Sequence, residues 1–244
     1  MKELTATTCL GENTVPILRN LIEQLGKAGV TVHFDEDNGW AEREAGFRAG
    51  SVDLVWACGL LTAELVDVRS DYTVVGSPVF EQSGQAVYRS IIVVREDSTF
   101  ATPSDLLRGR LAVNEYGSWS GYVGLGEWLA SEDRSIDEFH VHVMTGSHAL
   151  SLEALRDRVA DVAAIDSTIW DDLGPAGRQG LRAFASTRSW PAPPFSLKTE
   201  LVEELTPALL ACDVAGLAAI EPAEFENYRF MLTTRRAIVP VPGT

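Results

Sequence analysis

Cysteine is scarce in this chain, and long apolar runs are missing from it. The 244 residues include three cysteines, Cys9, Cys58 and Cys212, whose spacing forms no CxxC motif. An odd number of cysteines cannot all pair within one chain, so neither a disulfide framework nor a zinc cluster is expected. No other metal or cofactor is indicated. No apolar run approaches the roughly 18 residues of a membrane-spanning helix, so no such helix is predicted.

The start of the chain contains no signal-peptide core. Residues 1–5 (MKELT) lead straight into an alternating pattern that is typical of a strand. Two interpretations stay open, a cytoplasmic protein or the mature form of an exported one. The localisation is therefore undecided at this point.

Basic residues are also in short supply. Lys and Arg number 20 against 35 Asp and Glu, which gives a formal net charge of −15. An acidic surface repels nucleic-acid backbones and anionic lipids, so no nucleic-acid partner is expected. A small anionic ligand is compatible with this charge where a local cluster of hydrogen-bond donors outweighs the overall field.

The remaining composition is that of a globular protein. Hydrophobic residues make up 45% of the chain and charged residues 23%, both near globular averages, so disorder, collagen and coiled coil are excluded for the chain as a whole. The length fits one large or two small lobes.

Strand and helix patterns alternate along the chain in two series. The first series predicts strands over 4–10, 30–34 and 52–57 and helices over 15–27 and 40–49. The second predicts strands over 86–95, 111–114, 139–143 and 162–165 and helices over 103–107, 121–130 and 150–159. The run at 88–94 contains consecutive β-branched, apolar residues (91–94), so its strand is expected to be buried on both faces.

This alternation predicts an α/β fold of two lobes, each a mostly parallel sheet with flanking helices. Residues 83–189 form the second lobe. Residues 1–82 and 190–244 form the first, because the segment after the proline-rich stretch at 190–194 reads as two helices without a sheet of their own. Two chain crossings then act as a hinge, and a ligand cleft is expected between the lobes.

The sharpest local signal is the GSWSG segment at residues 117–121. It follows a predicted strand and opens a predicted helix, where unpaired backbone N–H groups and two hydroxyls form a ready anion site. An ordinary helix N-cap by Ser118 explains the same residues without a ligand. Neither a P-loop nor a Rossmann fingerprint fits the spacing. Trp119, between two polar serines, is expected to face a pocket.

Two further positions follow predicted strands. His148 can donate to an oxyanion or bind a metal, and Asp166 can orient a histidine, contact a ligand or cap a helix. Ser118, His148 and Asp166 also invite comparison with a catalytic triad. The G-x-S-x-G pattern fits neither Ser118 nor Ser120, so a hydrolase has no support from a motif.

The order of these segments resembles the PhnD-like family of periplasmic binding proteins for phosphate, phosphite and phosphonate ABC importers. The resemblance rests on FRAGSVDLVW (47–56), YRSIIVVR (88–95), SDLLRGRLA (104–112), GSWSGY (117–122), GSH (146–148) and ADVAAIDS (160–167). These stretches occur in the family's order over most of the chain. The family usually has a small residue where this chain has Trp119, which implies a changed ligand, for example one with an aromatic or larger organic part.

The resemblance implies a type II binding-protein fold that closes on its ligand. It places the anion on the turn formed by Ser118, Trp119, Ser120 and Gly121. It further implies a donor from His148, a hydroxyl from Tyr88, a contact between Asp166 and the non-phosphorus end of the ligand, and a first-lobe loop at Cys58 and Gly59 facing the cleft.

Two functions are carried forward. The first is a non-enzymatic solute-binding protein that captures a small anionic ligand and feeds an ABC permease. The alternative is a cytoplasmic enzyme or ligand sensor that uses the same fold for a small organic metabolite, since one fold hosts many functions.

Overall fold

The computed structural model describes residues 3–34 and 38–238. The strands are β1 (Glu3–Cys9), β2 (Thr31–Phe34), β3 (Leu54–Ala57), β4 (Tyr72–Phe80), β5 (Val87–Tyr88), β6 (Ser90–Arg95), β7 (Leu111–Val113), β8 (His142–Met144), β9 (Val162–Asp166), β10 (Leu181–Ser186), β11 (Trp190–Pro191), β12 (Phe195–Lys198) and β13 (Leu217–Pro222). The helices are α1 (Val15–Lys27), α2 (Trp40–Ala49), α3 (Gly59–Val68), α4 (Pro103–Leu106), α5 (Gly124–Ser131), α6 (His148–Arg156), α7 (Ser167–Asp172), α8 (Gly174–Gly177), α9 (Val202–Leu210) and α10 (Glu226–Ile238). A π-helical turn, Trp119–Val123, leads into α5.

The chain divides into two compact units. Unit 1 holds the residues up to Val87 together with Pro191–Leu232, and unit 2 holds Tyr88–Trp190 and the residues from Thr233 on. The short strands β5 and β11, where the chain passes between units, form a two-stranded sheet. The end of α10 therefore groups with unit 2, whereas the sequence patterns assign the whole terminal segment to the first lobe.

Unit 1 contains a six-stranded sheet in the order β13-β4-β12-β3-β1-β2. Strand β1 is parallel to β2 and β3, as the alternation predicts. Strand β12 pairs antiparallel with β3 and β4, and β13 pairs antiparallel with β4. The sheet is thus mixed, and the expectation that no strand follows residue 190 is wrong. The pairing of β12 and β13 depends on strands far earlier in the chain, which local periodicity does not report.

The core of unit 1 lies between α1 and the sheet, and it includes residues of the central strands β3 and β12. Leu18, Leu21 and Leu25 of α1 recur every three to four residues and are buried, as one apolar face of a helix should be. Trp56 of β3 stacks on Phe195 of β12 with ring centroids 5.0 Å apart. These contacts keep β12 in the middle of the sheet.

Unit 2 contains a five-stranded sheet in the order β10-β6-β9-β7-β8. Strand β6 is antiparallel to β10 and β9, whereas β9, β7 and β8 run parallel. The first five residues of β6 are buried, which confirms that this strand is covered on both faces. Because β9, β7 and β8 run in one direction, their carboxyl ends share one edge of the sheet, where the following loops meet.

Helix α3 and strand β10 are further elements without a counterpart among the predicted ones. Helix α3 begins directly after Cys58, and β10 adds an antiparallel edge beside β6. Within residues 3–34 and 38–238, no helix combines the length and apolar character that crossing a membrane requires.

Candidate functional site

Three loops meet at the shared edge of β7, β8 and β9, and each opens a helix. Ser118 is the N-cap of the turn after β7, Ser147 is the N-cap of α6 after β8, and Asp166 ends β9 as the N-cap of α7. Helix N-termini present unpaired N–H groups and a partial positive charge. The edge therefore concentrates neutral hydrogen-bond donors.

The turn after β7 is held by its own first hydroxyl. Ser118 Oγ accepts the Gly121 N–H at 3.0 Å, which confirms the predicted N-cap. The Val123 N–H bonds to the Ser118 carbonyl at 3.1 Å, and this wider spacing makes the first turn a π-helix. A Cβ on Gly121 would lie 1.8 Å from Asn114 Oδ1, so a glycine is required here.

The structure brings Ser120 and His148 together. Ser120 Oγ lies 3.2 Å from His148 Nε2. Asn114 Nδ2 lies 3.5 Å from the same nitrogen and 3.2 Å from Ser118 Oγ. Contacts between uncharged polar side chains thus connect the loop after β7 to the loop after β8.

The protonation of His148 follows from these contacts. Nε2 faces an amide N–H of Asn114, so it acts as the acceptor and Nδ1 carries the proton in the neutral ring. Nδ1 is buried and has no hydrogen-bond partner among the described residues, and the Ala164 backbone contacts the ring. Burial lowers the pKa of His148, and the nearby Asp166 offsets this only partly. His148 is therefore set to be neutral.

Asp166 caps α7 and is buried at the same edge. One carboxylate oxygen accepts the Thr168 N–H at 2.9 Å and the Thr168 hydroxyl at 2.8 Å. Burial raises the pKa of Asp166, and contacts with His148, Thr168 and Ser120 lower it by less. The capping role weighed for Asp166 is present, and its carboxyl also belongs to the Ser120 and His148 cluster.

The cluster does not have the geometry of a serine-hydrolase triad. Ser120, and not Ser118, meets His148 Nε2. A triad needs a carboxylate on the other ring nitrogen, Nδ1. Among the described residues, that nitrogen has no hydrogen-bond partner, and Asp166 contacts Ser120 instead.

Trp119 is buried, so the expectation that its side chain faces a pocket is wrong. Its exposed fraction is 0%, and its ring meets Trp190 edge-on with centroids 5.3 Å apart. Trp190 packs against Gly124 and donates its indole N–H to Glu127 at 3.0 Å. The π-helical turn directs the ring of Trp119 towards Trp190, so its burial depends on a residue far along the chain.

The other predicted ligand contacts, Tyr88, Cys58 and Gly59, come earlier in the chain. Tyr88, in β5, is buried with its ring 6.4 Å from that of Trp190. Cys58 and Gly59 belong to unit 1, where Cys58 is the N-cap of α3 and Gly59 its first residue, so they form a helix start and not an open loop. A Cβ on Gly59 would lie 2.8 Å from Tyr228, which requires a glycine for packing alone.

Sequence reasoning missed Asn114 and Thr168. Asn114 follows β7 and Thr168 lies in the first turn of α7, so both occupy the strand-to-helix loops that the rule for α/β sheets singles out. Their polar side chains at those loops are the signal that could have found them. Nowhere in the described ranges do three or more His, Cys, Asp or Glu side chains converge as a metal site.

Unit 1 carries a surface cavity of about 420 Å³ with a different character. It is lined by Asp53, Asp71, Lys198, Thr199 and Glu200. Lys198 Nζ lies 2.6 Å from Asp71, and Arg69 forms a two-pronged pair with the same carboxylate. Because the Lys198 ammonium is already paired with Asp71, the remaining lining is acidic. This cavity does not suit an anion.

Comparison with known proteins identifies a family that matches most of the chain. The model of a family described as ABC transporter, phosphonate, periplasmic substrate-binding protein matches residues 10–229. No curated protein matches the chain.

Solved structures share the fold at low sequence identity. PhnD1 from Prochlorococcus marinus, in complex with methylphosphonate, superposes with a TM-score of 0.82 at 17% identity, covering 98% of this chain and 99% of its own. A binding protein component of an ABC phosphonate transporter from Pseudomonas aeruginosa gives 0.77 at 17% identity, covering 99% and 90%. A Xanthomonas citri protein bound to ATP gives 0.74 at 17%, covering 98% and 100%.

These likenesses confirm the α/β periplasmic-binding-protein fold. The match over residues 10–229 extends through both units and includes every residue of the cluster at the edge of β7, β8 and β9. The chain therefore belongs to the family of phosphonate-binding substrate-binding proteins of ABC transporters, whose members are non-enzymatic transport components.

Proposed function

We propose that this protein captures a small phosphorus oxyanion, a phosphonate, phosphite or phosphate, on the turn formed by residues 118–121 of unit 2. It then presents the ligand to the permease of an ABC importer. One observation carries the proposal. Ser120 Oγ and His148 Nε2 lie 3.2 Å apart, so the loops after β7 and β8 meet at two helix N-termini.

Neutral donors suit this ligand because a buried anion needs several directed hydrogen bonds. Ser118 supplies a hydroxyl, and the first helical turn supplies backbone N–H groups such as that of Ser120, whereas the Gly121 N–H is already bonded to Ser118 Oγ. The helix N-termini add a partial positive charge. With its ring packed on Trp190, Trp119 takes part through its backbone, so an aromatic ligand is not required to explain it.

Asp166 is proposed to contact the non-phosphorus end of the ligand. Its buried carboxyl has a raised pKa, and a ligand ammonium group beside it would lower that pKa again. 2-Aminoethylphosphonate is therefore expected to bind more tightly than methylphosphonate. Tyr88, Cys58 and Gly59 stay predicted contacts.

The test is a thermal-shift and calorimetric comparison of phosphate, phosphite, methylphosphonate, 2-aminoethylphosphonate and sulfate. A ligand at about 100 times its Kd adds roughly 2.7 kcal/mol to the free energy of unfolding. For a chain of this size, that corresponds to a rise in Tm of about 5–10 °C.

Variants locate the site. Ser118→Ala is expected to weaken binding about tenfold or more, as the loss of a hydrogen bond to a charged group does. His148→Ala is expected to weaken binding as well, because His148 Nε2 positions Ser120 and Asn114 at the turn. Ser131→Ala is the matched control, because the Ser131 hydroxyl bonds to the Trp128 carbonyl at the far end of α5. No binding of any phosphorus oxyanion, or equal binding by all three variants, would refute the proposal.

A further inference from the structure

Asn114 lies at the carboxyl end of β7, between the serines of the turn and His148. Its Nδ2 is 3.2 Å from Ser118 Oγ and 3.5 Å from His148 Nε2. Its Oδ1 is buried, has no hydrogen-bond partner within the described residues, and lies against Gly121. Nδ2 is therefore fixed by polar contacts, and Oδ1 is confined by packing against Gly121.

The neighbouring groups determine which of the two amide positions of Asn114 is the oxygen and which is the nitrogen. With Nδ2 towards Ser118 and His148, two acceptors receive its protons. In the flipped orientation, two N–H groups would lie buried beside Gly121, and each of them would need an acceptor there. A single buried oxygen beside a Cα–H group is the less costly arrangement.

This orientation decides what Ser118 can do. A hydroxyl has one proton to donate and two lone pairs that accept. Ser118 Oγ accepts from Gly121 N–H at 3.0 Å and from Asn114 Nδ2, so both lone pairs are occupied. The proton is left to donate to a further acceptor.

We propose that Asn114 is a positioning residue that makes Ser118 an obligate hydrogen-bond donor to the bound oxyanion. By donating to Ser118 Oγ and to His148 Nε2, the amide also occupies an acceptor site on each side chain, so that these lone pairs do not face the anion. The inference rests on the proposed function, because it assigns the oxyanion as the acceptor of the Ser118 proton.

The isosteric variant Asn114→Asp tests this directly. The introduced carboxylate accepts the Ser118 proton and so removes it from the ligand. We expect the Kd for methylphosphonate, measured by calorimetry at neutral pH, to rise about tenfold or more. Asn114→Leu, which lacks a new acceptor, is expected to bind more tightly than Asn114→Asp. Asn20→Asp is the matched control for added charge, because its oxygen keeps accepting the Ala215 N–H.

A pH series separates positioning from packing. When the introduced carboxyl is protonated, it can donate to Ser118 again. The ratio of the Asn114→Asp Kd to the wild-type Kd is therefore expected to fall as the pH is lowered. His148, Asp166 and Asp172 are titratable groups around this cluster, Glu115 follows Asn114 in the same loop, and all four are present in both proteins. A ratio that does not change with pH would mean a packing defect and would overturn the inference.

A double-mutant cycle removes direct charge repulsion. In a Ser118→Ala background, Asn114→Asp repels the anion but has no hydroxyl to redirect, so its effect should shrink. If Asn114→Asp does not fold, Asn114→Ala replaces it, and Ser118→Ala should then cost less than it does in the wild type. Additive effects would refute the role of Asn114 alone, whereas wild-type protein that binds no phosphorus oxyanion would refute the proposed function as well.

Discussion

Asp166 combines a helix cap with a buried, protonatable carboxyl. An unfolded aspartate has a pKa of about 3.9, and burial raises the folded value above it. Between these two values the folded protein holds more protons than the unfolded chain, so the free energy of unfolding falls as the pH rises. The site thus lowers stability at neutral pH in exchange for a polar group at the ligand edge.

Replacing this carboxyl should stabilise the ligand-free protein. Asp166→Asn keeps an oxygen that accepts from Thr168 and removes the cost of ionisation. We expect about 1 kcal/mol of extra stability at neutral pH and little difference near pH 4. Urea melts across this pH range measure it. The exposed Asp213→Asn is the control for the lost charge, and a less stable Asp166→Asn protein at neutral pH would contradict the expectation.

Two glycines make a matched pair at the same scale. Gly121 touches Asn114, with an added Cβ 1.8 Å from Oδ1, whereas nothing lies within 4 Å of a Cβ added at Gly26 in α1. Gly121→Ala should destabilise the protein by about 1–3 kcal/mol, because the Asn114 amide must move. Gly26→Ala should stabilise it by about 0.5–1 kcal/mol through helix propensity. Thermal melts that rank the two variants in the opposite order would rule out this account.

At the scale of elements, the Asp161 carboxylate links three strands of unit 2, β6, β7 and β9, through hydrogen bonds from arginines. Asp161 precedes β9 and accepts from Arg110 Nε at 2.8 Å and from the Arg110 N–H at 3.0 Å. Arg95 at the end of β6 donates to it as well, at 3.0 Å. Three neighbouring strands are thereby fixed at the end opposite the site.

Asp161 should make this end of the sheet sensitive to acid. Hydrogen bonds from Arg110 hold its pKa well below the usual range, so its contribution is present above about pH 3.9 and is lost as the pH falls. Asp161→Asn is expected to cost about 2 kcal/mol at neutral pH and progressively less in acid, as measured by denaturant melts. The exposed pair of Arg229 and Glu226 is the comparison, since Glu226→Gln should change stability by less than about 0.5 kcal/mol. Equal effects of the two variants would count against this role.

The π-helical turn before α5 belongs to the same scale. Its wider spacing buries the ring of Trp119 against Trp190 while Ser118 and Ser120 stay at the strand edge. Such turns are often found at functional sites. One change of helical pitch therefore separates the packing residue of the segment from its polar residues.

For the whole molecule, the net charge of −15 opposes the proposed ligand. The Debye length shrinks from about 30 Å at 0.01 M salt to about 8 Å at 0.15 M, so repulsion at long range is screened. Binding is then governed by the local donors and less by the overall field.

The association rate of an anionic ligand should consequently rise with ionic strength. Stopped-flow tryptophan fluorescence with methylphosphonate between about 0.01 and 0.15 M salt measures it. Sodium chloride and sodium acetate are used in parallel, so that competition by either anion is recognised. A rate that falls with both salts would show that a local positive field guides the ligand and would contradict this expectation.

Several features follow from the sequence alone because they depend on neighbours a few residues apart. The spacing of apolar residues determines α1, and Gly50 ends α2 in the left-handed conformation; the predicted bounds of both helices match the structure. The β-branched run determines the buried strand β6. The Ser118 cap follows from a small polar residue between a strand and a helix. The order of these local signals is also what identified the family.

Other features were decided only by the tertiary structure. The insertion of β12 between β3 and β4 depends on pairing across more than a hundred residues, so no local pattern reports it. The burial of Trp119 depends on Trp190, and the contact between Ser120 and His148 depends on β7 and β8 lying side by side. Asn114 gains its role from the same neighbours. Residue types supplied the candidates for the site, and the parallel strands that bring their loops together decided which of them meet.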